Sequence, residues 1–169
     1  MLQRLEPDTD PLWDEAQAYV CRTDGLLIVD DSTLDKPYAH HIALVHRHWS
    51  SKHHRIVAGI NLVTLLWSDG PDTIPCDYRL SDQPVDELTK NDHFQAMLAT
   101  AHTRGFAPRL VLFDSWYSSV ANLKAIRDYG WHWLTRLKSK RLVDPDNTGN
   151  RPLTEAGIAP HGTVVHLKG

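Results

Sequence analysis

The sequence predicts an α/β fold in which a mixed sheet is flanked by helices. Three observations predict it. Two short apolar runs, Leu26-Leu27-Ile28-Val29 and Leu110-Val111-Leu112-Phe113, each stop abruptly at a carboxylate, Asp30 and Asp114. A buried parallel strand reads as such a run. Between them lie two strand-like stretches joined by the turn signal Ser68-Asp69-Gly70-Pro71-Asp72. Helical spacing of apolar residues then appears before and after the second run.

In chain order, residues 1–24 read as a short N-terminal leader, with a helical turn or two over Asp14 to Val20 packing Leu12, Trp13, Ala16 and Tyr19. Residues 25–169 form the main body. Gly25 marks a turn before a strand from Leu26 to Asp30. Residues 35–54 hold six histidines (His40, His41, His46, His48, His53, His54) among Arg47, Trp49 and Lys52, and read as a hairpin extension. Arg55 to Trp67 is a long strand, and Thr73 to Leu80 alternates as its antiparallel partner. Residues 82–86 are loop. Thr89 or Asn91 caps a helix to about Arg104, with Phe94, Met97, Leu98 and Ala101 on one face, and Gly105 ends it. The strand Leu110 to Phe113 follows Pro108. Ser118 or Ser119 caps a helix with Val120, Leu123 and Ile126 on its stripe, closed by Gly130. Trp131 to Leu137 and Thr163 to Leu167 read as strands, with residues 144–150 as loop.

Length and composition fit one domain with a sizeable core: 169 residues, 41% hydrophobic and 23% charged. No apolar run approaches the roughly 20 residues that span a bilayer, and Met1 to Pro7 does not resemble a signal peptide. Cys21 and Cys76 match no metal or redox spacing, which suits free thiols in a reducing compartment. The net charge is −3 but unevenly spread. Residues 1–35 hold nine acids and two bases, whereas residues 124–141 hold six bases (Lys124, Arg127, Arg136, Lys138, Lys140, Arg141) against Asp128 alone. Such a stripe either attracts a phosphate backbone or forms a solvated face.

Carboxylates at the ends of two neighbouring strands suit hard cations such as Mg²⁺. Two such ions flanking a phosphate support in-line phosphoryl transfer. Side-chain alternation puts Asp30 and Asp31 on opposite faces, so one of them, not both, can point at Asp114. The histidine spacings match no closed zinc site. Trp116 and Tyr117 are open to two readings, stacking on an unpaired base or packing in the core.

Asp30-Asp31-Ser32-Thr33-Leu34-Asp35-Lys36 resembles the first signature of DDE transposases of bacterial insertion sequences. Leu112-Phe113-Asp114-Ser115-Trp116-Tyr117-Ser118-Ser119 resembles the second, and Trp133-Leu134-Thr135-Arg136-Leu137-Lys138 resembles the strand that follows. The resemblance runs from about Leu26 to the C-terminus. It implies a ribonuclease H-like fold in which the first and fourth strands lie side by side and parallel. Asp30 and Asp114 are then the expected catalytic and metal-binding acids, with Mg²⁺ or Mn²⁺ as cofactor. The first acid of the motif matches the catalytic position, which favours Asp30, and leaves Asp31 to bond backbone groups of a turn. Ser32, Thr33 and Lys36 are open to two readings, holding a phosphate oxygen or metal-bound water, or, for the two hydroxyls, capping that turn. By the resemblance, Lys138, Lys140 and Arg141 would lie near the DNA end being cut.

The resemblance further implies metal-dependent strand cleavage and strand transfer at insertion-sequence ends, with DNA as partner, copies of the chain as a further partner, no membrane, and a cytoplasmic, nucleoid-associated location. The family carries a third acid in a tyrosine-arginine-glutamate-lysine signature that is not found before Gly169. Glu155 lacks its neighbours, and Glu87 sits at the wrong point in the order. The expected domain is therefore C-terminally incomplete. An inactive remnant, another ribonuclease H-like nuclease and a histidine-rich zinc module are the alternatives.

Overall fold

The computed structural model describes residues 8–39, 41–50, 53–70, 72–82 and 87–168. Residues 1–7, His40, Ser51, Lys52, Pro71, residues 83–86 and Gly169 lie outside the described part.

Helix α1 (Asp10–Ala16) starts four residues before the expected Asp14, with proline in its first turn, where a missing N–H costs nothing. Its Trp13 is buried against Phe106, ring centroids 5.4 Å apart, with the Arg22 and Arg104 guanidinium groups 5.2 and 4.8 Å from its ring centroid. Tyr19, expected to pack, is exposed, because the chain tightens into a 3₁₀ turn over Gln17–Tyr19.

The main sheet is built from β1 (Leu26–Asp35), β2 (His46–Ser50), β3 (Arg55–Ser68), β4 (Thr73–Ser81), β5 (Leu110–Phe113) and β6 (Trp133–Thr135). Its order is β2-β3-β1-β5-β6, with β4 pairing on β3. Strands β1, β5 and β6 run parallel, and β3 runs antiparallel to β1, β2 and β4. Counting β2 as the hairpin extension, β1 and β5 are the first and fourth strands, adjacent and parallel as the ribonuclease H-like expectation requires. Strand β1 does not end at Asp30. Residues Asp31 to Asp35 stay on the ladder opposite Val63 to Gly59, so Ser32 and Thr33 are strand residues rather than turn caps. Gly25 precedes β1 at a close approach, since a Cβ there would lie 2.4 Å from Trp67 Cζ2.

Helix α2 (Lys90–Thr103) opens on a capping box between Thr89 and Asp92 and gives way to Gly105 at φ +79°. Helix α3 (Val120–Asp128) is capped by Ser119. Both cover one sheet face. Leu27, Val29, Val63, Leu65, Val111 and Phe113 meet Phe94, Met97, Leu98, Leu123 and Ile126 there, all buried. Alternation sends Ile28, Leu112 and Leu134, registered side by side on β1, β5 and β6, to the opposite face, where Leu134 is exposed.

Strand β6 is shorter than the expected Trp131–Leu137. The Trp131 N–H still bonds back to the Ile126 carbonyl at 3.1 Å, which ties Trp131 to the end of α3. Beyond β6, β7 (Leu142–Asp144), β8 (Arg151–Pro152) and β9 (His166–Leu167) form a separate sheet in the order β8-β7-β9. The expected strand Thr163–Leu167 shrinks to its last two residues in β9. The Thr163 hydroxyl accepts the Ala159 N–H at 3.0 Å in a turn, and Val164 is exposed.

Candidate active site

The parallel register of β1 and β5 brings the two aspartates together. Its last pair is Val29 with Phe113, followed by Asp30, still within β1, and by Asp114, which caps the turn after β5. Neighbouring strands lie about 4.8 Å apart. Asp30 and Asp114 line one open groove of about 530 Å³ with Leu112, Leu134, Thr135 and Arg136. This is the carboxyl end of parallel strands, where open α/β sheets place their ligands.

Each carboxylate is oriented by the chain's own backbone. The Asp31 N–H donates to Asp30 Oδ1 at 2.9 Å, and the Trp116 N–H donates to Asp114 Oδ1 at 2.7 Å. The main chain beneath is pinned as well. Thr64 Oγ1 donates to the Asp30 carbonyl at 3.3 Å, and Thr135 Oγ1 to the Asp114 carbonyl at 3.1 Å. Although Asp30 reaches solvent, its apolar surroundings push its carboxyl above the ordinary value; the charges of Asp31 and Asp114 add in the same direction, and the Asp31 N–H partly offsets them. A site in which an aspartate is both desolvated and crowded by like charge gains from a cation. The donor set, two hard carboxylates, fits a divalent oxygen-seeking ion.

Asp31 is held elsewhere. It does not bond a turn, as expected from sequence, because it lies within β1. Its side chain pairs with Lys90 Nζ at 2.5 Å, at the start of α2. The buried Tyr117 phenol is pushed well above its ordinary value, first by burial and then by the Asp31 carboxylate beside it. It therefore stays protonated at neutral pH. Tyr117 stacks on Phe94 at 5.0 Å, which settles it as a core aromatic, whereas Trp116 is 58% exposed.

The turn that follows Asp114 is clamped from below by Asn122, which is fully buried. Asn122 Nδ2 donates to the Tyr117 carbonyl at 2.9 Å and to Asn91 Oδ1 at 2.8 Å, and its Oδ1 accepts from Gln95 Nε2 at 2.8 Å. One amide thus ties the Ser115–Tyr117 turn to both α2 and α3.

The three basic residues singled out from the sequence fall into different places. Lys138 is exposed and stands 5.4 Å from the Trp116 ring. Lys140 lies in the exposed turn before β7. Arg141 is half-buried and donates to the Ser118 carbonyl. The sequence reading passed over Arg136 as a site residue, although the period of two from Leu134 puts it on the aspartate face. It also missed Lys90, whose tie to Asp31 spans 59 residues of chain and has no local signal.

Among the described residues, no group of three or more acids, histidines or cysteines is placed to hold a metal ion. Glu155 sits in the 3₁₀ turn Leu153–Glu155, and Glu87 in an exposed loop. Three of the six histidines are dispersed onto separate partners: His46 on Asp82 at 2.8 Å, His53 on Asp35 at 2.6 Å, and His48 on Thr33 at 3.0 Å. That arrangement gives the zinc-module alternative no support. No helix among the described residues is long and apolar enough to cross a membrane.

Comparison with known proteins bears on the fold and the family. No curated protein matches. Among solved structures, the fold is similar to one in the cryo-EM structure of a piggyBac transposase synaptic complex with hairpin DNA. The TM-score is 0.51 and the identity 11%, over 70% of this chain and 24% of that one. At that identity the likeness concerns the fold, and the chain spans about a quarter of its neighbour's length. A family model described as DDE superfamily endonuclease matches residues 6–160. Endonucleases of this superfamily generally use divalent metal ions. With the match spanning nearly all of the sequence, the chain belongs to the DDE superfamily endonucleases.

Proposed function

We propose that this chain carries the catalytic core of a DNA transposase acting at insertion-sequence ends, with Asp30 and Asp114 as two of its metal-binding acids. The observation that carries the reading is the pair of carboxylates that directly follow the last registered residues of β1 and β5 and open on one groove. Mg²⁺ or Mn²⁺ held there would neutralise charge on a scissile phosphate and activate a water or DNA 3′-hydroxyl. The chain's own residues supply the rest. The backbone bonds to Asp30 and Asp114 fix their orientation before any ligand arrives. Strand alternation turns Asp31 away from the groove, and Lys90 neutralises it there. Arg136, on the groove wall, faces the phosphate that the aspartates would otherwise repel. Lys138, Lys140 and Arg141 contact the strand leading away from the cut. The piggyBac neighbour is held in a synaptic complex with hairpin DNA; DNA and a second copy of the chain are the partners inferred here.

A nicking assay on supercoiled plasmid tests the reading. Relaxed circles should form with Mn²⁺ or Mg²⁺, and either Asp30→Asn or Asp114→Asn should abolish them. Cleavage without any joining of a 3′-hydroxyl end to target DNA would point instead to a nuclease on the same fold. A second reading, a non-catalytic remnant, is favoured by the lack of a third acid beside the pair among the described residues. Binding of DNA and metal with no nicking would select it.

A further inference from the structure

The feature left unexplained by the aspartate pair is Trp116. A single exposed aromatic is ordinary on a protein surface, but this indole, 58% exposed while the adjacent Tyr117 is fully buried, stands beside the aspartate pair. Its position is tied to the site, because the Trp116 backbone N–H donates to Asp114 Oδ1 at 2.7 Å. Two ammonium groups flank it: Lys138 Nζ lies 5.4 Å and Lys90 Nζ 5.9 Å from the ring centroid. Lys90 is anchored to Asp31. Lys138 is exposed and free to swing aside.

The grooves around the ring connect it to the aspartates. Trp116 lines a groove of about 380 Å³ with Lys138, Arg141 and Lys168. Ser115 and Lys138 also line the next groove, which reaches Arg136. Arg136 in turn lines the groove of Asp30 and Asp114. A cationic track thus runs from the carboxylate pair to an open aromatic face. A ligand that matches it carries regularly spaced anions and presents a flat apolar face. Unpaired nucleotides have both, whereas a duplex hides its base faces inside the stack.

We infer that Trp116 is a stacking platform for an unpaired base of the strand lying in the aspartate groove, with Arg136 and Lys138 on the flanking phosphates. The inference rests on the DNA-processing reading above and adds that the DNA is locally single-stranded where it meets the site.

The test is fluorescence anisotropy of the full chain with two labelled 12-nucleotide strands, one of thymidine and one abasic throughout, at fixed salt. The thymidine strand should bind more tightly. Trp116→Ala should weaken it by about 5- to 100-fold while leaving the abasic strand nearly unchanged, and Trp116→Phe should recover part of the loss. Lys138→Ala should weaken both strands and flatten the dependence of affinity on salt by about 0.7 in log–log slope. Equal binding of the two strands by the unaltered chain overturns the platform, and that comparison needs no variant to fold. Equal losses on both strands in Trp116→Ala would mean that the ring only props up Lys90 and Lys138, and also overturn it. Failure of the unaltered chain to bind either strand overturns the DNA-processing reading together with the platform.

Discussion

Asn122→Ala is the substitution that best separates support of the site from the site itself. The side chain is fully buried and makes three hydrogen bonds, to Tyr117, Asn91 and Gln95. A hydrogen bond contributes about 1 kcal/mol net, and a buried partner left unsatisfied costs about 1–3 kcal/mol. Two of the partners, on Asn91 and Gln95, are side chains able to turn towards water. The Tyr117 carbonyl is main chain and cannot. Adding a small cavity brings the expected loss to about 2–4 kcal/mol. For a domain of this length, that lowers the melting temperature by roughly 5–15 °C. Urea unfolding followed by circular dichroism measures it directly. Because the lost bond frees the Ser115–Tyr117 turn, metal affinity at Asp114 should fall too, although no metal ligand is touched. Destabilisation below about 1 kcal/mol would refute the clamp, since the three bonds would then be replaced without cost.

Asp30→Asn should change the pH dependence of stability in the absence of metal. The folded-state carboxyl of Asp30 is raised above its ordinary value near 3.8, so its contribution is fully present below that value and is lost as pH rises through the folded one. The variant should therefore melt with the unaltered chain at about pH 3 and above it at about pH 7; a gap independent of pH would contradict this. Lys90→Met should leave Asp31 without its cation beside the Tyr117 phenol and cost about 1–3 kcal/mol in urea unfolding, and an unchanged midpoint would show that the pair is idle. Gly25→Ala, whose new Cβ would meet the buried Trp67 ring and the Ser68 carbonyl, should cost about 1–3 kcal/mol by overpacking, read as a drop in melting temperature. A neutral result would mean that the β1–β3 end of the sheet gives way easily.

The aspartate pair was legible because its signal is local. An apolar run that stops at a carboxylate marks the buried part of each strand, although β1 itself continues to Asp35, and the order of elements then puts β1 beside β5. What the sequence concealed depends on partners distant in the chain. Asp31 to Asp35 look like a turn, but the ladder from Val63 to Gly59 holds them in β1. Strand β2 hides because its half-buried positions are His46 and His48, which do not register as an apolar alternation. Strands β7 to β9 are two or three residues long, too short for periodicity to show. The fate of Asp31 was misread for the same reason. Its partner Lys90 belongs to the helix packed on the same face of the sheet but lies 59 residues further along the chain, and nothing near Asp31 in sequence announces it.

The proposed divalent-cation site consists of Asp30 and Asp114, and not Asp31. A thermal melt with and without Mn²⁺ tests this most directly. A ligand at 100 times its Kd stabilises the folded state by about 2.7 kcal/mol, or roughly 5–10 °C for a domain of this length. The unaltered chain and Asp31→Asn should both show that rise, while Asp30→Asn and Asp114→Asn should show none. No rise in the unaltered chain at millimolar Mn²⁺, or a rise that survives Asp30→Asn and disappears in Asp31→Asn, would contradict the site described here.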